Sequence, residues 1–231
     1  MKTLLYKEFR LSVHPLTYFF IALFALSALA PSFPAFIPLL YFGATYTFLF
    51  IGMNKTTTTN DLFYTCTLPI RRQDVVKARI CSTTVIQIVE LVLVFSFFSI
   101  NRFIFIANMP EDEIIKLLKS TFTISIEQWP VLLAAYLISL AVYDLIYLPW
   151  FYKTGKSIIL NMFVGMICVV AVAAILTVVP YYTFLDAITF GGENANYLLQ
   201  FLLLGLGIAI WIGSKFLVGY LSARNLKKLD F

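Results

Sequence analysis

An all-α, polytopic membrane fold with six transmembrane helices is predicted by three observations. The 231 residues are 61% hydrophobic and 13% charged, with a mean hydropathy of +0.89, well outside the composition of an ordinary soluble domain. Six apolar runs each approach the roughly 20 residues that a helix needs to cross a bilayer. The basic residues collect on alternate connections between those runs, as they do in membrane proteins whose cytoplasmic loops carry the positive charge.

The runs are 16–32, 34–53, 80–107, 129–149, 157–180 and 197–219. Pro34, Pro38 and Gly43 interrupt the second, and neighbouring helices absorb such breaks inside a bundle. With the N-terminus inside, the inner segments hold Lys2, Lys7 and Arg10, then Lys55, Arg71, Arg72, Lys77 and Arg79. Lys153 and Lys156 follow, and Lys215, Arg224, Lys227 and Lys228 close the chain. Together they are 14 of the 17 Lys and Arg. Only Arg102, Lys116 and Lys119 remain for the outer side, where Glu111, Asp112, Glu113, Glu127, Asp186 and Glu193 also fall. Both termini are therefore expected in the cytoplasm. The net charge of +5 is read as loops facing anionic lipid, not as a nucleic-acid surface.

The chain is expected to form one transmembrane domain over 1–231. Lys2, Lys7 and Arg10, an apolar stretch and Ala28-Leu29-Ala30 imitate a cleavable signal, but Pro31 follows directly, so the first span is read as retained. Residues 1–14 are predicted as an interfacial helix, with Leu4, Leu5, Phe9 and Val13 on one stripe and Lys7 and Arg10 off it. His14-Pro15 breaks it before the first span. On the outer side, in segment 108–128, Pro110 and the acids after it start an amphipathic helix whose stripe is Ile114, Ile115, Leu118 and Phe122.

Several chemistries are excluded. One histidine allows no multi-histidine metal site, and three cysteines give no disulfide framework. Lys153-Thr154-Gly155-Lys156-Ser157 imitates the end of a phosphate loop, yet Trp150 stands where the motif needs glycine. No nucleotide-binding motif and no catalytic constellation is found, so the chain is not read as an enzyme.

The most informative segment is the cytoplasmic connection 54–79. Two short helical pieces are expected to flank Leu68-Pro69, the second starting near Arg71 with Val75, Val76 and Ile80 on its apolar side and Arg72, Lys77 and Arg79 exposed. Thr67-Leu68-Pro69-Ile70-Arg71-Arg72-Gln73-Asp74-Val75-Val76 resembles the signature between the second and third spans of type-2 ABC exporter permeases. More closely, it resembles the small permease subunits of bacterial peptide exporters. The opening Met1-Lys2-Thr3-Leu4-Leu5-Tyr6-Lys7-Glu8-Phe9-Arg10 is similar to theirs as well. The resemblance implies a coupling helix that docks into a cytosolic ATPase, carried here by Leu68, Pro69, Arg71, Arg72, Asp74 and Val75. Where many relatives have a glutamate and an aromatic anchor before Leu-Pro, this chain has Thr56 to Thr59, Asp61 and Tyr64.

Two intramembrane acids are candidates for a translocation path. Glu90 lies about ten residues into the third span, where an ionised acid costs roughly 2.5–3.5 kcal/mol unless paired, so it is expected to face the interior or a cavity. Asp144 is placed one to two turns from the inner end of the fourth span, within reach of Lys153. In the last span Gly205, Ala209 and Gly213 recur at four-residue spacing and are predicted as a helix-packing seam.

The resemblance implies a permease of the bacterial cell membrane that binds no cofactor itself. A separate ATPase subunit would hold ATP and magnesium, and a second permease subunit would complete a dimer. The exported cargo would be an amphipathic peptide, such as a peptide toxin, or another lipid-partitioning molecule, moved by alternating access. The rival reading is an ion-coupled secondary transporter using Glu90 and Asp144, against which the 54–79 connection has no counterpart in the second half. In a background without native cysteines, single cysteines at Glu113 and Glu193 are expected to react with an impermeant thiol reagent added to intact cells. Cysteines at Lys153 and Lys227 should stay unlabelled until the membrane is opened. External labelling at Lys153 would overturn the six-span topology.

Overall fold

The computed structural model describes residues 2–12, 15–29, 65–66, 69–105, 129–154, 163, 167, 170–171 and 196–228, which are almost wholly helical with no strand among them. The expected second span, most of the fifth, the outer segment 108–128, His14, and Leu68 with residues 54–64 lie outside the described residues.

Helix α1, Lys2–Lys7, widens into a π-type turn over Glu8–Ser12. Helix α2 is Pro15–Ser27, with proline at the first helical position, where its missing N–H costs nothing. Helix α3, Arg72–Ile100, passes into another π turn over Asn101–Phe105. Helices α4, Trp129–Thr154, and α5, Tyr197–Lys227, complete the set. Helices α3, α4 and α5 have 29, 26 and 31 residues, and all three are long and apolar enough to cross a membrane.

The ends of these helices follow local chemistry. Arg71 is extended (φ −65°, ψ 126°) two residues after Pro69, and Asp74 then sits in the first turn of α3, where a negative charge favours the helix dipole. Asn196 caps α5 by accepting from the Leu199 N–H at 3.4 Å, and Arg224 and Lys227 occupy its last turn. Pro149 does not end the fourth span as expected. It lies inside α4, which runs to Thr154, while Asn225 Nδ2 on α5 donates to the Pro149 carbonyl at 2.8 Å. The last span likewise runs past Gly219 to Lys227, and the expected basic helix after Pro69 is continuous with the third span.

Contacts at the helix ends establish directions. The start of α3 meets the end of α5 through Arg72 Nη1 and the Leu226 carbonyl, 3.1 Å apart. At the other end, Asn101 Nδ2 after α3 donates to the Ala28 carbonyl after α2, at 3.0 Å. Trp129 and Phe201, near the starts of α4 and α5, meet edge to face at 5.9 Å. Helices α2 and α3 therefore run in parallel, and α4 and α5 run together the opposite way. One end of the bundle gathers the basic residues of α1, α3 and α5, and is called the basic end below.

The outside of this bundle is apolar and its inside is partly polar. Helix α4 is central, with 61% of its most apolar stretch buried, against 28% for α3 and 22% for α5. Helix α5 exposes Leu198, Leu202, Leu206, Phe216 and Leu217 while burying Gln200, Gly207, Ser214 and Ser222. Helix α3 exposes Val85, Ile88, Val89 and Val92 and buries Ser82, Thr83, Gln87 and Glu90. Some hydroxyl groups in the interior are satisfied within their own helices, as where Ser82 donates to the Arg79 carbonyl at 2.8 Å and Ser214 to the Trp211 carbonyl at 2.7 Å. In lipid there is no gain from burying apolar surface between helices, so close packing and polar contacts do the joining.

The tightest helix pair is α4 with α5, and its close approach is at Gly207. A Cβ there would stand 3.0 Å from Ala134 Cα and 3.2 Å from the Ala134 carbonyl oxygen. Gly205, Ala209 and Gly213 are on the exposed side of α5, and a Cβ at Gly205 or Gly213 would meet nothing within 4 Å. Gly207→Ala is expected to lose about 1–3 kcal/mol by overpacking against backbone that has no room to move. Gly205→Ala should be neutral or stabilising by up to about 1 kcal/mol through helix propensity. Unfolding in mixed detergent micelles measures both, and equal effects would remove Gly207 as the contact point.

Candidate functional site

Three helices each place one polar side chain at the same level of the bundle. Gln87 lies 15 residues into α3, Asp144 lies 15 into α4 and Lys215 lies 18 into α5. At 1.5 Å per residue each is at least about 15 Å from either end of its helix, deep in any membrane these helices cross.

The three groups form a closed ring of hydrogen bonds. Gln87 Nε2 donates to both Asp144 oxygens, at 3.1 Å to Oδ1 and 3.0 Å to Oδ2. Lys215 Nζ donates to Gln87 Oε1 at 2.6 Å and forms an ion pair with Asp144 Oδ2. Trp211 Nε1 adds a second donor to Gln87 Oε1 at 3.3 Å, and its ring centroid lies 5.0 Å from the Lys215 ammonium. The Asp144 side chain is 0% exposed and that of Lys215 is 13% exposed. Each carboxylate oxygen and the ammonium thus have partners, which is the condition under which a buried charge pair is tolerated.

This geometry corrects two expectations. Lys215 belongs to the bundle interior and not to the cytoplasmic charge of the last segment. Asp144 lies ten residues before the end of α4 at Thr154, deeper than expected, and its partner is Lys215, while Lys153 is exposed. Gln87, Trp211 and Lys215 were not singled out from the sequence. A lysine inside the apolar run 197–219, two residues after Gly213, was the available signal for Lys215.

Glu90 stands one helical turn beyond Gln87 on the buried face of α3, 4% exposed, and its Oε2 has no hydrogen-bond partner. Tyr136 of α4 is buried, and its ring packs edge to face on Phe95 of α3 at 5.9 Å. Beside this region a groove of about 650 Å³ runs between α3 and α4. Ile88, Val92 and Phe95 form one wall, Trp129 and Leu133 the other, and Trp211 its floor.

At the basic end, the segment before α3 is held from several sides. Arg79 pairs with the buried Glu8 at 2.6 Å, and Lys7 hydrogen-bonds Thr65. Cys66 is half-buried, and burial raises its thiol pKa against the opposing charges of Arg72 and Lys7. Arg72 and Arg79, expected as exposed, are thus engaged: one caps the end of α5 and the other ties down the N-terminal helix. Pro69, Arg71 and Lys77 are exposed, Asp74 is half-buried and Val75 is buried. The interfacial stripe of α1 turns Leu4 and Phe9 to the bundle and Tyr6 outward, with Glu8 buried beside them.

Among the described residues no group of three His, Cys, Asp or Glu side chains is placed to hold a metal ion. Comparison with protein-family models, with curated proteins and with solved structures gives no match to this chain.

Asp144→Asn leaves the Lys215 charge buried beside a neutral amide, and Lys215→Met leaves the Asp144 charge unpaired. Each is expected to cost about 3–5 kcal/mol of stability. The double variant should cost less than the sum of the two, because no uncompensated charge remains. A double-mutant cycle by detergent unfolding checks this, and strict additivity would mean that the pair does not interact.

Proposed function

We propose that this chain is the permease subunit of an ATP-driven exporter in a cell membrane, resembling the type-2 ABC exporter permeases. The observation that carries the reading is mechanical. Helix α3 begins at the exposed Pro69–Arg71 corner and holds, 15 residues further on, the Gln87 amide that bridges Asp144 and Lys215. A push on that corner is delivered by one continuous helix, about 22 Å along its axis, to the polar ring joining three helices. The Glu8–Arg79 and Arg72–Leu226 contacts make α1 and the end of α5 move with it.

Helix directions support six spans. The chain leaves α2 at the end opposite to the start of α3, and leaves α4 at the end opposite to the start of α5. One return crossing in each gap would fit these directions, and the apolar runs 34–53 and 157–180 lie in those gaps. Phe163, Ile167 and Val170, helical and exposed at spacings of four and three, fit a lipid-facing side of the second of these runs. With the basic end inside, both termini are cytoplasmic and the exposed Pro69–Arg71 corner faces a cytosolic ATPase subunit, which would bind ATP and magnesium. Two permease chains and two ATPases would form the working unit, with an amphipathic peptide as cargo.

In the ion-coupled alternative Glu90 and Asp144 would carry protons or ions; against it, both Asp144 oxygens are engaged by Gln87 and Lys215, and the 54–79 connection has no counterpart in the second half. Arg71→Glu tests the exporter reading without disturbing the fold, because Arg71 is exposed and Arg72 makes the structural bond. The variant is expected to insert normally, to co-purify less ATPase and to lose cargo-stimulated ATP hydrolysis. Wild-type association and turnover would remove this corner from the mechanism.

A further inference from the structure

Among the described residues, charge counting in the bundle interior leaves one carboxyl group without a counter-ion. Asp144 is balanced by Lys215. Glu90, a turn beyond Gln87, takes part in no ion pair among the described residues, and its Oε2 is buried without a hydrogen-bond partner. Among the described residues, the charged and titratable groups of the packed helices are already committed or neutral. From α4 there are Tyr136 and Asp144, and from α5 there is Lys215, whose ammonium is held by Asp144 and Gln87. On α3 itself Arg79 is paired with Glu8 of the N-terminal turn. Helix α2 contributes only Tyr18, which is exposed and donates to the Phe9 carbonyl.

An isolated carboxylate in such surroundings loses its hydration with nothing in return, whereas the neutral acid loses far less. We propose that Glu90 is a proton-binding site of the bundle interior. Its carboxyl group holds a proton in the packed arrangement and returns it to water when α3 and α4 part. The neighbouring ring sharpens the contrast: the same interior carries one acid ionised because a lysine meets it, and one acid neutral because nothing does. Any movement of α3 that exposes Glu90 to water then carries a proton with it. That holds whether or not the chain is driven by an ATPase, so the site is independent of the exporter reading.

Infrared spectroscopy of the full chain, purified and reconstituted in phosphatidylcholine vesicles at neutral pH, tests this. A protonated-carboxyl carbonyl band is expected in the wild-type protein, shifted by isotope-labelled glutamate, lost in Glu90→Gln and retained in Asp144→Asn. A band that survives Glu90→Gln, or one that disappears in Asp144→Asn alone, would overturn the assignment. Should Glu90→Gln fail to fold, the labelled wild-type protein decides. Glu8 is ion-paired, and Glu111, Glu113, Glu127 and Glu193 are placed by the sequence in polar connections, where they ionise at neutral pH. Absence of any label-sensitive band then refutes the proposal.

Discussion

The arrangement of the central helices depends on how one buried aspartate is neutralised. Asp144 sits on the most enclosed helix, among side chains such as Tyr143 and Leu140 that offer it no charge. Left alone, its charge would be buried without compensation. Lys215 comes from a helix 71 residues away in the chain and Gln87 from one 57 residues away, so satisfying this one group draws α3, α4 and α5 to a common level. The Gly207–Ala134 approach then sets how closely α5 lies on α4, and the Asn225–Pro149 hydrogen bond fixes the same register near the basic end. Apolar contact alone would leave these helices free to slide, because their outer faces are as comfortable against lipid as against one another.

A different logic governs the basic end. There the charges lie where water and headgroups are within reach, and the contacts are between the chain's extremities and the start of α3. Glu8, Thr65, Arg72, Arg79 and Leu226 come from four separate stretches of sequence, yet each tie involves α3 or the two residues described before it. Helix α3 is thus anchored at its base and cross-braced at its middle. Such a member passes on a displacement instead of absorbing it.

Much of this was legible in the amino-acid order, and the failures have common causes. Long apolar runs identified α3, α4 and α5, because a helix surrounded by lipid must be apolar around most of its circumference. The same fact hides orientation: with apolar residues on every side, periodicity does not say which face is inward. The glycines of α5 illustrate this: Gly207 makes the contact with α4, while Gly205, Ala209 and Gly213 lie on the other side, and their four-residue pattern does not say whether a helix of this chain or of a second one would meet them. Lys215 was counted with the cytoplasmic charge because topology counting treats a lysine near the end of an apolar run as a loop residue. Its proper place emerges only when Asp144 is seen opposite it. Gln87, being uncharged, raised no signal at all. Glu90 was correctly expected to face the interior, for the energetic reason that an acid has nowhere else to go.

The pairing of parallel α4 and α5 has a consequence for biosynthesis. The two helices are neighbours in space, but Lys215 emerges from the ribosome 71 residues after Asp144. Throughout that interval the fourth helix carries an acid whose partner has not been made, with Gln87 on the earlier α3 its sole companion in the ring. The ring is therefore complete only once α5 has been made. A chain that stops short of α5 leaves Asp144 without its lysine.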